Sequence, residues 1–137
     1  MRFSWDQTYS VGIKEIDKQH QQFFKICQQI YQLVDNRDLP DHLLKIVTEL
    51  GNYSQYHLSV EESYFRQFQY PQSQPHVDSH NEYRTKINHL LQQARQTDVD
   101  YYQICQSIAE FAQNWLAQHI KVMDKQYSSY FRHHGLK

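Results

Sequence analysis

Glycine and proline are scarce, three of each in 137 residues, and no Asn-Gly turn separates alternating apolar runs. Hairpin-rich β architectures are therefore disfavoured and a helical protein is expected. Cysteine is nearly absent. Cys27 and Cys105 are too few for a disulfide framework and form no Cys-x-x-Cys unit, so both read as small buried thiols. Charge of a single sign is lacking as well, since 14 lysines and arginines face 15 acidic residues for a net charge of -1. That balance offers no polyanion-binding surface, and nucleic acid is not an expected partner. Long apolar runs are missing too. The opening Met1-Arg2-Phe3-Ser4-Trp5-Asp6 has no signal-like stretch, and nothing approaches the roughly 20 apolar residues of a membrane span. A soluble, cytoplasmic protein with no membrane partner is the expectation, and a monomer is favoured. The length suits one domain.

The residue in excess is histidine, nine in all, and its position along the helical pattern becomes the question. Residues 1–16 mix aromatic, polar and β-branched side chains without a helical period and read as an ordered arm. Asp17 is a candidate cap for a first helix whose apolar stripe runs through Phe23, Phe24, Cys27, Ile30, Tyr31 and Val34, with His20 on the same face. Asp38, Pro40 and Asp41 open a second helix, with His57 and Glu61 on its buried side and Tyr70-Pro71 at its end. Gly51 sits mid-helix, where close packing or tolerance explains it. Ser73 and Pro75 begin a third helix, lined by His76, His80, Tyr83, Ile87, Leu90 and Leu91 and fading near Gln96-Thr97. Asp98 or Asp100 begins a fourth, with Ile104, Cys105, Ile108, Ala112, Leu116, His119 and Tyr127 inward. The fold class expected is all-α: an antiparallel up-down-up-down four-helix bundle over residues 17–130 with an ordered N-terminal arm.

Each helix carries metal-capable side chains on its apolar face. Residues four apart on a helix stand about 40° apart around the axis and roughly 6 Å apart along it, so His57 with Glu61, and His76 with His80, project together. An ionised Glu61 on an apolar stripe is costly unless it pairs or meets a cation. In an antiparallel bundle His20 lies at the start of the first helix and His57 and Glu61 near the end of the second. His76 and His80 open the third, and His119 and Asp124 come late in the fourth, so all seven fall at one end. Five imidazoles and two carboxylates exceed what one tetrahedral zinc uses and suit two six-coordinate first-row metals. One spacing conflicts with a regular helix: His119 and Asp124 are five apart, about 140° around the axis. Either they approach the metals from opposite sides of the helix or a π-type bulge lies between them.

These residues resemble the hemerythrin family, in particular its single-domain bacterial members. The resemblance spans nearly the whole chain: Trp5-Asp6, Tyr9, Val11-Gly12-Ile13, Ile16-Asp17 and Gln19-His20 at the start; His57, Glu61, Tyr70-Pro71, His76 and His80 in the middle; Trp115-Leu116, His119-Ile120, Asp124 and Tyr127 at the close. It implies one hemerythrin-like domain over 1–137 that holds two iron ions. His76, His80 and His119 would bind one, His20 and His57 the other, with Glu61 and Asp124 bridging. The iron with two histidines keeps an open position, which implies reversible binding of dioxygen for storage, delivery or sensing. Leu116 is the expected wall of that pocket, plain core packing being the alternative. Phe65 and Tyr83 stand where the family pattern has methionine and phenylalanine. Tyr83 is expected to send its hydroxyl to solvent, the alternative being a hydroxyl near the site that alters the stability of the oxygen adduct, and Glu62 to be a solvated neighbour of Glu61. His42, His89, His133 and His134 read as surface residues. The competing functional class is a diiron enzyme, an oxidase, a peroxidase or a nitric-oxide-handling protein. Oxygen-activating bundles typically carry Glu-x-x-His on two helices, and none occurs here. An iron store or a structural metal module fits poorly with an open position.

Overall fold

The structure, a computed structural model, describes residues 2, 4–96 and 98–137. After a short 3-10 turn at Gln7–Tyr9, four long helical segments follow: α1 (Lys14–Asp35), α2 (Pro40–Gln67), α3 (Ser73–Ala94) and α4 (Tyr101–His119). A π turn, Ile120–Asp124, then leads without a break into α5 (Lys125–His133). Among the described residues there is no strand. Helix α1 packs on α2 and α4, and α3 packs on the same two, which closes a square bundle; α2 and α4 also meet across the diagonal. The connections are four to six residues long, so successive helices run antiparallel. No described helix is long and apolar enough to cross a membrane.

The ends of the helices follow local chemistry, with two departures from the expected caps. Helix α1 begins at Lys14 rather than after Asp17, and Ile13 caps it without a side-chain bond. Asp17 lies inside the first turn, where it accepts from Ser10 Oγ (2.5 Å) and Val11 N (2.9 Å). Its carboxylate therefore ties the arm to the helix instead of closing the helix end. Ser73 is the first residue of α3 and donates to the Tyr70 carbonyl (2.5 Å), so it secures the preceding turn. The third helix ends at Ala94; of the pair expected to mark its end, Thr97 lies outside the described residues. Of the two aspartates that could open the fourth helix, Asp100 is the cap, accepting from Tyr102 N at 3.1 Å and Gln103 N at 3.3 Å. Pro40 occupies the first turn of α2 as expected.

The core is continuous from Ile16, Phe23, Phe24 and Cys27 on α1, through Leu43, Val47, Leu50 and Leu58 on α2, to Ile87, Ile108, Ala112 and Leu116. Cys27 and Cys105 are buried free thiols. Gly51 allows α2 and α3 to approach closely, since a Cβ there would lie 2.8 Å from the end of Leu91. The arm is ordered against the far end of the chain. Tyr9, Val11 and Ile13 are buried. Lys125 Nζ donates to the Thr8 carbonyl (2.6 Å), Ser128 Oγ donates to the Val11 carbonyl, and Lys121 Nζ lies 4.9 Å from the centre of the Tyr9 ring. Gly12 has φ +73° there, a conformation that favours glycine, and a Cβ would crowd Arg132 at 3.2 Å.

Candidate metal centre

The seven residues singled out by spacing meet in one buried layer. His20, His57, Glu61, His80 and Asp124 are wholly inaccessible, and His76 and His119 nearly so. Two groups have donor atoms lying within 4.8 Å of one another: Glu61, His76, His80, His119 and Asp124 in one, His20, His57, Glu61 and Asp124 in the other. The groups share only the two carboxylates. His76 Nε2 lies 2.9 Å from His119 Nε2 and 2.8 Å from Asp124 Oδ1, and His80 Nε2 lies 3.2 Å from His119 Nε2. On the other side His20 Nε2 is 3.1 Å from Asp124 Oδ2, and His57 Nε2 is 3.1 Å from Glu61 Oε1.

The five-residue spacing is resolved by the π turn. Residues 120–124 wind more loosely than the helices on either side, which turns Asp124 back onto the side of His119 and brings its Oδ1 to 3.0 Å from His119 Nε2. Of the two alternatives open for this segment, the bulge is the one found.

The ring orientations decide what the cluster can accept. His57 Nδ1 faces Gln19 Oε1 at 2.7 Å and His80 Nδ1 faces Glu62 Oε2 at 2.8 Å, and both oxygens act as acceptors. In neutral rings the inward Nε2 atoms therefore carry lone pairs, and these face other nitrogens and carboxylate oxygens. Lone pairs and anions converging at about 3 Å repel one another unless a proton or cation lies between them. His20 Nε2, His57 Nε2, Glu61 Oε1 and Asp124 Oδ2 are all buried without a hydrogen-bond partner. A cation satisfies these orphaned donors together and offsets the cost of two buried carboxylates. The cluster thus fits a metal, and imidazole with carboxylate is a donor set that first-row metals accept.

Electrostatics hold the two carboxylates and His20 in the states a metal needs, whereas for His80 burial is outweighed by Glu61 and Glu62, which raise it to about 9, so a cation must displace its proton. Burial alone would raise the pKa of Asp124, but His119, His20 and His76 hold it well below the usual carboxylate range. Burial and Asp124 push Glu61 up, and His57 and His80 outweigh them and pull it below its ordinary value. Burial lowers His20, which favours the neutral, ligating ring. The Tyr127 hydroxyl is raised well above its ordinary value by burial and by Asp124 and Glu61, so it keeps its proton and donates a hydrogen bond to Glu61 Oε2.

The chain matches the family model for the Hemerythrin HHE cation binding domain over residues 11–131. The chain belongs to the hemerythrin family. It is 28% identical over 128 residues to the bacteriohemerythrin of Clostridium acetobutylicum, an alignment covering 91% of this chain and 98% of that protein. It is 26% identical to the myohemerythrin of Sipunculus nudus, covering 91% of this chain and 90% of that one. Among solved structures, a wild-type hemerythrin crystal structure superposes with a TM-score of 0.81 at 20% identity, over 94% of this chain and 97% of the other. That likeness bears on the fold, an all-α bundle. The family membership and the buried cluster together make this a protein with a site able to bind metal.

Around the cluster lie residues that spacing did not mark. Gln19 orients His57, Ser79 Oγ sits 3.0 Å from His119 Nδ1, and Tyr127 holds Glu61. Glu62 is not the solvated neighbour expected: its side chain is only 14% exposed and bonds both His80 and Arg84. Burial raises its pKa, yet His80 and Arg84 overcome that and bring it down to about 2. Tyr83 also departs from expectation. It is buried, and its hydroxyl has neither solvent contact nor a hydrogen bond of normal geometry. Its ring packs against Phe23, Phe111 and Trp115 in the core. Trp115 in turn stacks on His119, with ring centres 4.3 Å apart, and Phe65 covers His76 at 4.6 Å. The four remaining histidines, His42, His89, His133 and His134, are exposed, as expected.

Proposed function

We propose that this chain holds two iron ions in the buried cluster and binds dioxygen reversibly, for storage, delivery or sensing. His76, His80 and His119 serve one ion in this reading, His20 and His57 the other, and Glu61 and Asp124 bridge them. The observation that carries it is the overlap of the two donor groups, which have three imidazoles on one side, two on the other, and both carboxylates in common. The side with two imidazoles is one donor short, which leaves room for a small ligand. When bound in the reduced state, the pair of irons supplies the two electrons that reversible dioxygen binding requires.

The chain's own residues orient and insulate the site. Gln19 and Glu62 fix the rings of His57 and His80 by their outer nitrogens, which aims each Nε2 inward. Tyr127 occupies one oxygen of Glu61 and leaves Oε1 directed at the histidines. Leu116, fully buried one turn before His119, is the wall of the dioxygen pocket, with Phe23 one turn beyond His20. Apolar walls exclude the water and protons that would otherwise consume a reactive oxygen ligand. Five imidazoles with only two carboxylates, and no Glu-x-x-His pair, favour carriage over an oxidising enzyme. The test is to load the protein with iron, reduce it without air, add dioxygen and then remove it. Two irons per chain and a visible absorption band that comes and goes with dioxygen are expected. Repeated turnover with an added reductant, and no reversible band, would instead establish the enzyme.

A further inference from the structure

Behind His80 the chain builds a charged layer that ends at the surface. The Glu62 carboxylate that accepts from His80 Nδ1 (2.8 Å) also takes both terminal nitrogens of Arg84, Nη1 on Oε2 at 2.7 Å and Nη2 on Oε1 at 3.0 Å. Arg84 is itself held from two further sides, by Gln55 Oε1 at Nε (2.7 Å) and by Asn81 Oδ1 at Nη1 (3.0 Å). Both side chains are largely covered, 19% exposed for Arg84 and 14% for Glu62. A two-pronged guanidinium–carboxylate pair with additional anchors is a fixed charge arrangement, unlike a mobile surface ion pair. Arg84 lies four residues beyond His80 on α3, and Glu62 follows Glu61 on α2, so the grip also ties the two helices together beside the ligand layer.

A carboxylate bonded to the outer nitrogen of a metal-bound imidazole raises the basicity of that ligand. Stronger donation stabilises the more highly charged metal ion. A guanidinium on the far side of the same carboxylate opposes this, because its positive charge compensates the carboxylate's field at the ring. We propose that Arg84 is a positioning and charge-compensating residue for the metal centre: it locks Glu62 against His80 and restrains that carboxylate from favouring the oxidised metal. The inference rests on the diiron reading above and adds a residue that touches neither a metal nor the bound gas. The reaction it slows is loss of one electron from each of two ferrous ions to dioxygen. With two protons from solvent, these electrons leave as hydrogen peroxide.

The test compares iron-loaded wild type with Arg84→Met, Arg84→Lys, Glu62→Gln and the Arg84→Met/Glu62→Gln double variant. The measurements are reduction potential, rate of autoxidation, iron release to a chelator and melting temperature of the metal-free protein. Arg84→Met should lower the potential, speed autoxidation several-fold, and weaken iron retention by about 10- to 100-fold, the usual cost of losing an outer partner. Arg84→Lys keeps the charge without the fork, so it should restore the potential while iron release stays fast. In the Glu62→Gln background, Arg84→Met should lower the potential clearly less than it does with Glu62 present, since only the direct field of the guanidinium is then lost. A wild-type potential in Arg84→Met overturns the inference, as does a drop that persists in full without Glu62. Wild-type protein that fails to take up two irons overturns the diiron reading, and the inference with it. Normal loading with indifferent Arg84 variants overturns the inference alone.

Discussion

Replacing Tyr83 with phenylalanine should make the protein more stable. The hydroxyl lies in the interior without a hydrogen bond of normal geometry, although Ser54 is near enough to act on it. The nearby Ser54 hydroxyl donates to the Gly51 carbonyl instead, at 3.0 Å. A buried polar group left unsatisfied costs about 1–3 kcal/mol. The packing of the ring on Phe23, Phe111 and Trp115 survives the substitution. Removing one oxygen leaves a void smaller than a methyl group, which takes back at most about 1 kcal/mol. The net gain is then about 0–3 kcal/mol. An unfolding entropy of about 2.1 cal/mol/K per residue gives this chain about 0.3 kcal/mol per degree, so Tm should rise by up to about 10 °C. Burial, Ser54 and Cys27 are what act on the hydroxyl, and no cluster carboxylate is among them, so the rise should be similar with and without metal. Calorimetry on both forms measures it. A Tm lowered by about 2 °C or more would refute the reasoning, because it would mean that the hydroxyl stabilises the core.

Three further outcomes are expected. Deleting Lys121, exposed on the π turn, should return the segment to regular α-helical winding with His119 and Asp124 four apart, about 40° around the axis and still projecting together; metal analysis should then find the wild-type stoichiometry, and a loss of loading would contradict the reading that the bulge only takes up the extra residue. Stripping the metal should lower Tm, since a cation present at about 100 times its Kd adds roughly 2.7 kcal/mol; a Tm indifferent to chelator would speak against a native metal. Burial raises the Cys27 thiol and pushes that of Cys105 up to about 11, so both should stay protonated and unreactive toward iodoacetamide at pH 8 until the chain unfolds. Rapid labelling of the folded protein would contradict this and point to a redox role for a thiol.

What was legible in the sequence is what repeats with the period of a helix. His57 with Glu61 and His76 with His80 follow from four-residue spacing alone, and antiparallel packing brings His20 and His119 to the same level. The π turn was visible only as a conflict, a spacing of five where a regular helix cannot serve both donors. Glu62 escaped because its partners come from α3, and no local period records a contact made across helices. Tyr83 was misjudged for another reason. Its place on the stripe with His80, Ile87 and Leu90 marked it as buried, and the habit of tyrosine hydroxyls to reach water was allowed to outweigh position. Asp17 had the chemistry of a cap, but the arm offered its carboxylate a backbone N–H and a serine hydroxyl before the helix did.

The arm that buckles over α5 has a consequence for how the protein is made. Thr8 and Val11 are held by Lys125 and Ser128, so the arm, translated well before α5, waits for that helix before it is fixed. The cluster spans the same interval, from His20 to Asp124. During synthesis the early histidines therefore emerge without the carboxylate that completes their set, and a half-built chain offers only partial, open sites to any metal it meets. A metal that needs the whole donor set would therefore be taken up only after Asp124 and α5 have been made.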